Sequence, residues 1–95
     1  MRGESQIRIL HLFQFLYRNT DEMNPASVAD ILRFWELQGI CSERKQVYKD
    51  IALLQDFGVD VIRIKSTQNH YFIGDRLFEL PELKLLVDAV ESSRF

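Results

Sequence analysis

The chain has 95 residues, 46% apolar and 12% aromatic, the size and composition of one small domain with a real core; a disordered tail is excluded. Twelve Lys and Arg against fourteen Asp and Glu leave a formal charge of -2, so bulk attraction to polyanions is excluded and any nucleic-acid binding must come from a local patch. The single Cys41 excludes an intramolecular disulfide, no Cys and His spacing suits zinc, and a reducing cytoplasm is the expected location.

The opening "MRGESQIRIL" leads into an apolar run broken by Arg8, His11 and Gln14, too short and too polar for a signal peptide or a membrane span. From Ser5 to Arg18 the spacing predicts a helix with Ile9, Leu10, Phe13, Leu16 and Tyr17 on one broad face. Ile7 and Phe15 fall outside that face, so this helix needs more than one apolar partner. "NTDEMNP" reads as a loop. Asn24 followed by Pro25 reads as a helix start, with a capping side chain and then a residue whose missing N–H costs nothing in a first turn. Val28, Ile31, Leu32 and Trp35 follow as one buried stripe, and Gly39 is the expected stop.

After the short "GIC", Ser42 can cap a third helix with Glu43 in its first turn, running to about Phe57 and closed by Gly58. "VDVIRIK", the polar "STQN" and "HYFI" make residues 59–73 a predicted β-hairpin, without the Asn-Gly or Asp-Gly that would set its register. Gly74 ends it. "LPELKLLVDAVESSRF" starts a fourth helix at Pro81, with Leu83, Leu86, Val87 and Val90 on one face.

The expected fold class is therefore mainly α with a small β-hairpin. Its order, three helices with a tight turn between the second and third and a hairpin at once after them, is that of a winged helix-turn-helix, a three-helix core plus wing, followed by a C-terminal linker or dimerisation helix. In that fold the third helix enters the major groove of DNA and the hairpin reaches the flanking backbone. At roughly 100° per residue the third helix turns Val47, Ile51 and Leu54 inward. Lys45, Lys49 and Ala52 then face out, between Tyr48 and Gln46. Lys45 and Lys49 suit guanine acceptors or phosphates, Gln46 an adenine edge, and Ala52 a close approach. Arg44 and Tyr48 at the rim, with Ser42 at the helix start, suit phosphates. The hairpin adds Arg63, Lys65, Gln68, Asn69 and His70, with no acidic residue between Val61 and Gly74. A plain solvated face is the bland alternative for the helix alone, since Glu43, Asp50 and Asp56 dilute its charge.

"SERKQVYKDIALLQDFGVDVI" resembles the pattern S-x-R-K-x-V/I-Y-R-D-I-x-x-L of the recognition helix in bacterial transcriptional regulators with a DeoR-like winged helix-turn-helix and a C-terminal WYL domain. "YFIGDRLFELPELKLLVDAVESSRF" is similar to the segment joining that family's wing to its linker. The resemblance covers nearly the whole chain. It implies a DNA-binding domain over residues 1–74 and the start of a linker helix over 75–95, leading to an effector domain absent here that would bind any ligand. It also implies that Arg44, Lys45, Tyr48 and Lys49 contact DNA and that Asp50 is structural. Lys49 stands where the family has Arg, which keeps the charge and loses the bidentate fork. The wing lacks the family's usual glycines.

The partners expected on this basis are double-stranded DNA and a second copy of the chain, paired through the first and C-terminal helices. A winged-helix docking module without DNA contact is the alternative, and it has no need of Lys45 and Lys49. No enzyme is expected, and no cofactor or metal. His11 lies among apolar residues, Cys41 is expected to be a small buried or half-buried thiol, Glu79 and Glu82 are ordinary helix-start carboxylates, and no Gly-rich phosphate loop is present. Trp35 belongs to the core stripe.

Overall fold

The computed structural model describes residues 2–75. Its elements in chain order are α1 (Arg2–Asn19), β1 (Ala26–Ser27), α2 (Val28–Leu37), α3 (Arg44–Phe57), β2 (Val61–Lys65) and β3 (Asn69–Ile73). They form a small α+β domain in which three helices pack with a three-stranded antiparallel sheet of order β1-β3-β2. The fourth helix expected from Pro81 lies outside the described residues.

The core collects the inward side of every element. Leu12, Phe13 and Leu16 of α1, Ile31 and Trp35 of α2, and Val47 of α3 are fully buried, with Ile51, Leu54, Tyr71 and Ile73 closing around them. Trp35 and the Val47, Ile51, Leu54 stripe thus lie where their spacing places them. In α1 the buried face is turned toward Leu12, while Ile9 and Tyr17 are only partly covered and Ile7 is exposed. The second apolar side of α1 has a partner in α2, where Phe15 stacks on Phe34 with ring centroids 4.6 Å apart.

The start of α2 differs from its sequence-based position. Asn24 and Pro25 do not begin it. Asp21 Oδ1 accepts hydrogen bonds from the backbone N–H groups of Met23 (2.8 Å) and Asn24 (2.9 Å), which folds that stretch into a turn. The chain then runs extended, and Ala26 and Ser27 pair with Tyr71 and His70 as a third strand. Ser27 is the true cap: its Oγ accepts from Asp30 N, and the Asp30 carboxylate accepts from Ser27 N, both at 3.1 Å. This reciprocal pair satisfies two helix-start donors at once.

Both predicted stops stand, with Gly39 (φ +82°) just past α2 and Gly58 (φ +112°) closing α3 in the left-handed region where a Cβ is strained. Ser42 is not the cap of α3. Glu43 occupies that position, without a side-chain hydrogen bond to the helix. The hairpin pairs Val61 with Ile73 through to Lys65 with Asn69, around a turn at Ser66–Gln68. Two side chains tie the sheet to the helices. Gln55 Nε2 donates to Val61 O (2.9 Å), and Thr20 Oγ1 accepts from Ile73 N (3.3 Å) while donating to Leu16 O (2.6 Å).

Candidate functional site

Burying Val47, Ile51 and Leu54 leaves the opposite side of α3 to solvent, and Lys45, Tyr48, Lys49 and Ala52 are all exposed. Arg44, the first residue of the helix, donates from Nη1 to Tyr48 Oη at 3.4 Å, so these two side chains form one group at the helix front. Ser42 is exposed just before it. Asp56 shares the outward side two turns further on, so the cationic part of the face is confined to the front half of α3.

Asp50 does not dilute that charge, as the plain solvated face would have it, but is buried, in keeping with the structural role that the resemblance implies. It is completely buried, and Arg8 of α1 donates to both its oxygens, from Nε to Oδ2 and from Nη2 to Oδ1 (3.1 Å). A third donor reaches Oδ1 from Gln46 Nε2 at 2.9 Å. Arg8 is itself held over Trp35, its guanidinium carbon 5.9 Å from the ring centroid, while Trp35 Nε1 donates to Arg8 O (3.2 Å). A buried carboxylate is tolerable only when so fully paired. The network locks α3 to α1 and makes Gln46 a half-buried flank residue with its amide nitrogen turned inward.

The register separates the hairpin's polar residues. Side chains alternate across a strand, so Arg63, Lys65, Asn69 and Tyr71 share the face toward α3. His70 is half-buried on the other face, opposite Ile64, and its Nδ1 lies 3.2 Å from Gln68 O in the turn. His70 is therefore near the predicted Gln68 in the turn but is not brought together with Arg63, Lys65 and Asn69. Between α3 and the hairpin lies a crevice of about 670 Å³, lined by Tyr48, Ala52, Gln55, Arg63, Asn69 and Tyr71 among others, none of them acidic. Tyr71 is only 3% exposed; burial first, then neighbouring Tyr48, push its phenol above the usual range, against the opposing pull of Arg63 and a hydrogen bond from Asn69.

Gln55 and Tyr71 were not among the sequence-based candidates. Gln55 could have been found seven residues after Tyr48, on the same side of the helix; Tyr71 depends on the hairpin register. On the other flank, Ile9, Leu10 and Phe13 of α1 and Leu53 and Phe57 of α3 line an apolar groove of about 460 Å³, where Leu53 is 51% and Phe57 46% exposed. Cys41 is exposed rather than buried, because the α2–α3 connection turns only Ile40 onto the core. Among the described residues no group of three His, Cys, Asp or Glu side chains could hold a metal ion, and no helix is long and apolar enough to cross a membrane.

Comparison with protein-family models, curated proteins and solved structures finds no match to this chain.

Proposed function

We propose that the domain binds double-stranded DNA as a winged helix-turn-helix, with α3 in the major groove and the β2–β3 hairpin as the wing on the flanking backbone. One observation carries this reading: Tyr48, which accepts a hydrogen bond from Arg44 at the front of α3, and Arg63 of the hairpin line the same acid-free crevice, with Lys45 and Lys49 exposed on α3 beside Tyr48. In this arrangement Lys45 and Lys49 reach base edges or nearby phosphates, while Arg44, Tyr48, Arg63 and Lys65 take phosphates. The likeness of the α3 sequence to DeoR-like recognition helices supports the same assignment, and with it a role as the DNA-binding part of a bacterial WYL-type regulator in the cytoplasm. The pairing of two copies through α1 and the C-terminal segment belongs to the proposal as well, since the apolar groove beside α1 leaves Leu53 and Phe57 open.

That groove also favours a second reading, a docking module whose partner covers it. Single alanine variants separate the two. DNA reading by α3 requires that Lys45→Ala or Lys49→Ala cost about 1–3 kcal/mol on a selected site and relax one base position. Arg63→Ala or Lys65→Ala should weaken all duplexes alike and lower the salt slope by about 0.9 for each lost phosphate contact. Four variants indistinguishable from the parent on every duplex would leave the docking module as the function.

A further inference from the structure

We propose, building on the DNA-binding reading, that Gln46 is a specificity-determining residue whose amide is fixed by Asp50 so that it selects a base carrying an exocyclic amine in the major groove, adenine or cytosine, and rejects guanine. An unrestrained glutamine can turn its amide over and offer either a donor or an acceptor. Gln46 has no such freedom. Arg8 donates to both oxygens of buried Asp50, which leaves the carboxylate acting only as an acceptor, and a proton on Oδ1 would be driven against the Arg8 Nη2–H. The Gln46 group 2.9 Å from Oδ1 is therefore its NH2, and its carbonyl Oε1 takes the other branch of the planar amide.

Oε1 is free to work there. Gln46 is half-buried, its only side-chain hydrogen bond within the described residues is the one to Asp50, and Oε1 is not a buried orphan. Gln46 is the third residue of α3, in the first turn, next to Lys45 and three residues before Lys49. First-turn residues of a groove-entering helix are the ones that meet base edges. An outward carbonyl accepts from cytosine N4 or adenine N6, and the second amide hydrogen can complete the adenine pair at N7. Guanine offers only N7 and O6 at its major-groove edge, two acceptors, and so sets oxygen against oxygen. The cationic neighbours Lys45 and Lys49 cover the opposite chemistry, which gives the front of α3 one acceptor on the flank of two donors.

The test uses the full chain and a pool of duplexes with a randomised centre, selected in parallel with the parent and with Gln46→Ala, followed by anisotropy titration of a selected duplex. The parent should hold adenine or cytosine at one position where Gln46→Ala accepts any base. Replacing that base by its amine-less analogue, purine or 2-pyrimidinone, should weaken the parent about tenfold and leave Gln46→Ala unchanged. Circular dichroism checks that the variant is folded, and its Arg8–Asp50 pair is left in place. Relaxation at a guanine or thymine, or a preference that Gln46→Ala leaves intact, would overturn this proposal while leaving duplex binding standing. If the parent binds no duplex even at low salt, the DNA-binding reading fails first and takes this one with it.

Discussion

Arg8 and Asp50, 42 positions apart in the chain, form a two-pronged ion pair that fastens the outer helix α1 to the inner side of α3. Asp50 is fully buried and the Arg8 side chain is 16% exposed. The pair sits one turn behind the exposed front of α3, so it sets the orientation of that front relative to the rest of the core. Removing one partner strands a buried charge. Asp50→Ala or Arg8→Ala is expected to cost about 3–5 kcal/mol, whereas a joint replacement by apolar residues of similar volume, Arg8→Met with Asp50→Leu, should recover most of it. Urea denaturation of the three variants measures this; a double variant no better than the singles would show that the pair's value lies elsewhere than in mutual compensation.

The beginning of α2 gives a second, cheaper contrast. Ser27→Ala should lose about 1 kcal/mol because it removes the acceptor for Asp30 N, and Ser27→Gly only a few tenths. Asn24→Ala, at the position that resembles a cap in sequence, should stay within about 0.5 kcal/mol of the parent. The reverse order in thermal melts would place the helix start at Asn24 after all.

Tyr71 makes the fold sensitive to alkali. Burial holds its phenol protonated in the folded chain above the ordinary value of 10.0, so the unfolded chain releases that proton first. The stabilisation is complete below about pH 10 and is lost as pH rises through the folded value. Tyr71→Phe should flatten this fall as pH rises past about 10. Equal slopes for parent and variant would assign the alkaline loss to other groups.

Cys41 is exposed in the α2–α3 connection, so it should react with a small thiol reagent in the native state nearly as fast as in urea. Strong native-state protection, removed only by denaturant, would mean that the connection is covered.

The parts legible in the sequence are those set by local chemistry. Gly39 and Gly58 mark helix ends because a left-handed residue is needed there, and Val47, Ile51 and Leu54 declare a buried side by spacing alone. What escaped depends on partners far along the chain. β1 is two residues long, too short for any periodicity, and exists because β3 offers an open edge to Ala26 and Ser27. By charge and spacing alone Asp50 looks like a surface residue; the resemblance marks it as structural, but its partner Arg8 is 42 positions away, and that contact also turns Gln46 from a free reader into an oriented one. The separation of His70 from Arg63 is a matter of register, which a turn without Asn-Gly does not announce.

The most direct measurement is fluorescence anisotropy of labelled random 30-base-pair duplexes titrated with the full chain from low to moderate salt, alongside the Lys45→Ala, Lys49→Ala double variant. Salt-dependent binding that the double variant loses is the expected result and would place the front of α3 on DNA. Absence of binding at low salt, or binding unaffected by the two substitutions, would contradict it.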